Sequence, residues 1–283
     1  MDIGIFEKTF ARPTLAATLD AVRAHGLANV QFDLASAGLP SLPDHIDPEQ
    51  ATAIRDALAA RQITMAAVSG TFNIIHPDES QRRSNMQRLR SLAAACPALG
   101  TRIITLSTGT RDATNMWRHH PDNASAAAWR DAVQAMTEIA AIGEESGVMM
   151  ALEPEVSNVV DSAPKARRLL DELRSPAIKV VIDGANVFHT GELPRMAEIL
   201  DEAFALLGDD IVLAHAKDLD RDGEAGNRPA GHGVLDYDRY VRLLDQIGYT
   251  GPLILHGLTE DQVDGCVAFL QTKLATLPPS RRG

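Results

Sequence analysis

Apolar residues along this chain follow two alternating rhythms. Short, strongly apolar runs occur at DIGIF (2–6), NVQFDL (29–34), ITMAAVSG (63–70), RIITLST (102–108), GVMMALEPE (147–155), IKVVIDGAN (178–186), IVLAHAKD (211–218) and PLILHGL (252–258). Runs of this length predict buried strands. Between them the apolar positions take a helical spacing. Leu15, Leu19 and Val22 line one helix face, which His25 and Gly26 bring to a stop. SAPKARRLLDELRS (162–175) opens with a serine cap and an early proline, and DYDRYVRLLDQIGY (236–249) opens on an aspartate and closes at Gly248.

Eight strands alternating with eight helices predict a parallel sheet, because parallel neighbours need crossover connections. Eight such units in 283 residues fit a closed (β/α)8 TIM barrel, an α/β fold, better than an open sheet. A doubly wound sheet would carry a GxGxxG turn after its first strand or a phosphate loop, and neither motif occurs. With no linker or low-complexity tract, a single domain over 1–283 is expected, with LPPSRRG (277–283) as a frayed tail.

A barrel brings the C-terminal ends of all its strands around one mouth, where this fold builds its sites. In the last four strands the apolar run gives way there to Glu153, Asp183, His215 and His256. A buried strand has no structural use for a carboxylate or imidazole at its end, since buried charges need a partner or a metal. Singly, such residues serve as ion-pair partners or caps. Four in succession predict one divalent-metal site on one side of the ring. Two imidazoles in the set favour Mn, Zn, Fe, Co or Ni over Mg.

These stretches resemble the xylose isomerase-like TIM barrel superfamily, in particular its sugar phosphate isomerase/epimerase branch. The resemblance spans nearly the whole chain. It rests on ALEPE (151–155), VIDGAN (181–186), HAKD (215–218) and GHGVLDYDRYVRLLDQIGYTGPLIL (231–255). In that family Glu, Asp, His and a second Glu from the last four strands hold one ion, which carries over to Glu153, Asp183 and His215. His256 stands where the second glutamate is expected, and an imidazole there is suited to moving protons. The resemblance implies a metal-dependent isomerase or epimerase of a sugar or sugar phosphate. Glu153 would be both ligand and base, and the metal would stabilise the enediolate. Loss of a β-substituent from the same enolate would instead make a lyase or dehydratase of a keto-sugar, keto-glycoside or inositol derivative. The sequence does not separate these two. An AP-endonuclease-like hydrolase would need extra histidines on strands three, four and six, where this chain has Thr108-Gly109-Thr110 and Asn186. A barrel that only binds sugar is the reading outside enzymology.

Further polar residues on the mouth loops are candidates for holding substrate. Lys217 follows His215 by two, and Glu155 follows Glu153 by two, so each is expected to face inward, where Lys217 pairs with Glu155 or acts in catalysis. The third loop offers Asn73 and His76, the latter also suited to setting a turn. Trp117 in the fourth loop suits stacking on a pyranose, and Arg111 can grip oxygens with its fork. Asn186 and His189 follow in the sixth loop, and Arg228 in the seventh is a contact for a phosphate or sugar acid. His119, His120 and His232 read as surface or structural. A formal net charge of −11 argues against a nucleic-acid partner. Cys96 and Cys266 read as buried thiols. MDIGIFEKTF has no secretory pattern and no run approaches the ~20 apolar residues of a spanning helix, so a cytoplasmic setting without membrane contact is expected. The resemblance also implies a capacity to form homo-oligomers.

Overall fold

Every predicted strand forms in the computed structural model, which describes residues 1–278. In chain order the elements are β1 (Ile3–Phe6), α1 (Leu15–Ala24), β2 (Asn29–Phe32), α2 (Pro48–Ala59), β3 (Thr64–Ser69), α3 (Glu79–Leu99), β4 (Ile103–Ser107) and α4 (Ala126–Ser146). There follow β5 (Met149–Glu153), α5 (Ala163–Leu173), β6 (Ile178–Asp183), α6 (Met196–Leu207), β7 (Ile211–Asp218), β8 (Arg228–Pro229), α7 (Tyr237–Gln246), β9 (Leu253–Leu255) and α8 (Val263–Leu274). Strands β1 to β7 pair in sequence, β7 pairs with β9, and β9 closes the ring on β1, all parallel. This is the expected (β/α)8 barrel. The two-residue β8 lies outside the ring, antiparallel to the end of β7.

The apolar residues divide into two shells because strand side chains alternate in direction. Phe6, Ala67, Ala151, Val181, Leu213 and Ile254 form a plug inside the barrel. A larger shell, with Val30, Ile104, Leu152 and Val180 among its strand residues, packs beneath the helices. Local punctuation follows the sequence at most ends. Thr14, Asp78, Ser125 and Asp236 accept helix-start N–H groups, and Gly26 and Gly248 leave their helices with positive φ. Ser162 occupies the cap position of α5 without making the side-chain hydrogen bond, so Pro164 in the first turn is the signal that counts there. Of the tail expected to fray, Leu277 packs against the core, and 279–283 lie outside the described residues. Both cysteines are buried thiols. Among the described residues no helix is long and apolar enough to cross a membrane.

Candidate metal centre

The alternation that builds the apolar plug also builds the layer above it. Two residues beyond Ala151, Val181, Leu213 and Ile254 come Glu153, Asp183, His215 and His256, so each returns to the inward face. Strands β5, β6, β7 and β9 are neighbours in the ring, and one ligand atom from each side chain lies within 4.8 Å of the other three. His215 Nδ1 is 3.5 Å from Glu153 Oε2 and 3.9 Å from Asp183 Oδ2, and His256 Nε2 is 3.4 Å from the same Asp183 oxygen. Ligands bound at about 2.1 Å to one ion sit roughly 3–4 Å from one another, which is this spacing.

His215 provides the sharpest test of fit. Its Nε2 faces Gln31 Oε1 at 2.8 Å, and Gln31 donates from its amide nitrogen to Thr105 Oγ1 at 3.3 Å. The amide oxygen can only accept, so Nε2 carries the ring proton and Nδ1 is left with a lone pair. That Nδ1 is buried and has no hydrogen-bond partner. An unmet buried nitrogen beside two carboxylates is costly in a merely structural site and is what a metal ligand needs. The residues present therefore fit a divalent ion.

Neighbouring groups hold the other ligands in place. Asp183 is fully buried; Oδ1 accepts from the Ala185 amide at 2.9 Å, while Oδ2 faces both imidazoles and the Lys217 ammonium, 3.4 Å away. Glu153 Oε1 accepts from Asn186 Nδ2 at 2.6 Å, and Asn186 Oδ1 accepts from the Gly226 amide. The Tyr240 hydroxyl lies 3.1 Å from the Ile182 carbonyl and 2.9 Å from that of His215, tying β6 to β7 at the ligand level. Phe6 presents its ring edge-on to His256.

Electrostatics point the same way. Burial opposes charge on Asp183, yet Lys217 foremost, with His256, holds its carboxyl well below the usual carboxylate range. Burial likewise works against Glu153, yet the charges facing it, Lys217 among them, keep this carboxyl below its ordinary value. Burial, and after it the Lys217 charge, pushes the His256 imidazolium down to about 4. At neutral pH the site thus offers two carboxylates and a neutral His256, the protonation states that metal binding requires.

Lys217 and Asn186 join this group, but not as the sequence suggested. Lys217 pairs with Asp183 and not with Glu155. Strand β5 ends at Glu153, Pro154 breaks the ladder, and Glu155 turns aside to accept from the Ser157 amide at 2.9 Å and from Asn158. Burial raises its carboxyl to about 7. Asn186 grips Glu153, a use that leaves its amide nitrogen committed. Asn73 is spent on its neighbouring loop, donating to the Thr110 carbonyl at 2.8 Å and accepting from the Thr110 amide. Gly109, at φ +72, leaves room for it. His76 accepts from the Asp78 amide and reaches the Ala113 carbonyl. Arg111 turns to Asp131 in α4 and the Ile75 carbonyl, Arg228 to Asp220, and His189 to Asp161, 3.7 Å away. Trp117 is 56% exposed. The contacts of Asn73, His76, Arg111, Arg228 and His189 lie among the mouth loops and helices and do not reach Glu153, Asp183, His215 or His256.

Two mouth residues escaped the sequence reading. Gln31 sits between Val30 and Phe32 in a strand buried on both faces, a polar residue with no structural motive there. Glu7 ends the first apolar run just as Glu153 ends the fifth. It is fully buried, accepts from the Asp33 amide at 2.9 Å through Oε1, and leaves Oε2 without a partner.

Fold and site together define a closed parallel barrel with a group of residues at its mouth that could hold a metal ion. The chain belongs to the xylose isomerase-like TIM barrel family, whose pattern matches residues 19–270. It is 25% identical over 193 residues to the L-ribulose-5-phosphate 3-epimerase UlaE of Shigella flexneri serotype 5b, an alignment covering 68% of this chain. That alignment spans 63% of the relative, less than two thirds of its length. Among solved structures, a D-tagatose 3-epimerase-like protein is similar in fold at a TM-score of 0.77, with 14% identity over 97% of both chains. The IOLI protein with a zinc atom is similar at 0.72, with 17% identity over 98% of both chains.

Proposed function

We propose that this chain is a divalent-metal-dependent epimerase or isomerase of a sugar, acting by proton transfer at the carbon beside a carbonyl. The observation that carries this reading is the orphaned, buried Nδ1 of His215 facing Glu153 and Asp183. The epimerase named among the relatives and the zinc of the IOLI neighbour support it. A divalent ion held by Glu153, Asp183, His215 and His256 supplies the Lewis acidity that makes the neighbouring C–H acidic.

The four side chains divide by exposure. Asp183 and His215 are 0% and 3% exposed and are out of a substrate's reach, so they anchor. Glu153 and His256, at 18% and 24%, open to the mouth from the two outer strands of the set. A substrate between them meets Glu153 Oε2 on one side, and that oxygen takes the proton while Asn186 keeps Oε1 occupied. Lys217 Nζ, on the strand next to His256, stays beside Asp183 as its counter-charge.

The test is solvent exchange. Protein loaded with Mn, Zn or Co is incubated with a panel of ketoses in deuterated water, beside an EDTA-stripped control, and followed by proton NMR. Metal-dependent deuterium uptake at the carbon beside the carbonyl, with appearance of the epimer or isomer, is expected. Uptake accompanied by loss of a β-substituent would make the chain a lyase, and no uptake by the metal-loaded protein would refute the reading.

A further inference from the structure

We infer that the substrate of this site is an uncharged, unphosphorylated ketose; this rests on the function proposed above and narrows it. The mouth of the barrel is formed by the eight loops that follow its strands, residues 7–14, 33–47, 70–78, 108–125, 154–162, 184–195, 219–236 and 256–262. Leaving aside the buried Glu7 and Glu155, these loops carry 14 acidic residues and 7 basic ones. A phosphate ester approaching such a mouth is repelled, and fields of this kind change encounter rates by about 10- to 1,000-fold.

Recognition of a phosphate dianion would need at least one cation free to meet it, preferably an arginine fork. Each basic residue of the eight loops has an acidic partner. Arg12 pairs with Glu260 and Arg118 with Asp112, while Arg195 and Arg221 each pair with the glutamate three residues on, Glu198 and Glu224. The two arginines that the sequence offers as oxyanion grips are also committed. Arg111 is held at 2.6 Å by Asp131 and by the Ile75 carbonyl, and Arg228 is clasped through two nitrogens by Asp220.

Two lysines remain. Lys217 is the cation nearest the ligands, and its charge is used by the fully buried Asp183. Diverting it to a phosphate would leave that carboxylate without its main counter-charge. Lys8 is more loosely held, 3.8 Å from Asp33, with its ammonium 4.1 Å above the Phe6 ring. A single exposed lysine is a point charge and no fork. A neutral sugar makes no such demand: its hydroxyls can accept from or donate to these groups while the ion pairs stay closed. In this the chain would part from the UlaE relative, whose name gives a pentulose phosphate.

The experiment compares each free ketose with its phosphate monoester on the same metal-loaded protein, reading kcat/KM for solvent exchange at low and high salt. The free sugars are expected to exceed their esters by about tenfold or more, and any ester rate should rise with salt as the repulsion is screened. An ester preferred over its free sugar, with a rate that falls as salt rises, would overturn the inference and leave the proton-transfer function standing. Exchange of neither class by protein with metal bound would overturn both.

Discussion

Replacing Gln31 by leucine removes its hydrogen bonds to His215 and Thr105 and should loosen the candidate metal site without replacing any of the four residues that would hold the ion. Gln31 Oε1 fixes the Nε2–H tautomer of His215 at 2.8 Å, and this leaves Nδ1 open. With leucine there, a buried Nε2–H loses its partner, which costs about 1–3 kcal/mol. The ring can escape by moving its proton to Nδ1, where Glu153 Oε2 and Asp183 Oδ2 wait at 3.5 and 3.9 Å. That tautomer blocks the nitrogen the metal must use, so the ion has to reverse it on binding. A penalty of about 1.4–2.8 kcal/mol corresponds to a 10- to 100-fold weaker affinity, the range typical for groups that orient a metal-binding histidine. Affinity is read by titration against a competing chelator, and the visible spectrum of the cobalt form reports the ligand set. Gln31→Glu keeps an acceptor at the same place and should retain the parent's affinity. Equal affinity for Gln31→Leu and the parent would show that Gln31 does not set the tautomer of His215.

Other outcomes follow from the same geometry. At saturating metal, Glu153→Gln should keep the fold and its circular dichroism while solvent exchange falls by about 100- to 10,000-fold; near-parental exchange would remove Glu153 as the base. His256→Ala should lower the metal bound per chain at limiting metal, and unchanged stoichiometry by elemental analysis would take His256 out of the ligand set. Glu7→Gln should flatten the dependence of stability on pH. Burial raises the Glu7 carboxyl to about 8, so its contribution is full below the ordinary value of 4.5 and is lost as pH climbs through about 8. The variant should therefore outlast the parent in urea at about pH 9, by on the order of 5 kcal/mol at most, while a parallel pH profile for both proteins would refute this account.

The barrel was legible because one rule, apolar strand then amphipathic helix, holds around the whole ring. The four residues that could hold a metal ion stand out in the sequence because each breaks that rule at a strand end. What escaped depends on distances no local pattern encodes. Arg111 is claimed by Asp131, twenty residues on and in α4, and nothing in the fourth loop announces that pairing. The two-residue spacing of Glu155 from Glu153 predicts an inward side chain, but spacing has meaning only while the strand lasts, and β5 ends before Pro154. Gln31 was hidden by position, since it lies inside its strand and not at the end.

The stacking of the interior accounts for these readings together. Ala151, Val181, Leu213 and Ile254 close the barrel below, and Glu153, Asp183, His215 and His256 stand one inward step above. The layer beneath that level is apolar, so an inward polar residue there has to find its partners beside or above it. Gln31 and Thr105 meet this condition: both are buried strand residues, bonded to each other, and Gln31 reaches His215. The rule that found the ligands at strand ends therefore extends to polar residues within the strands. On that ground Gln31, bonded to His215, belongs with the candidate metal centre, while Trp117 is exposed and Arg111 is paired with Asp131.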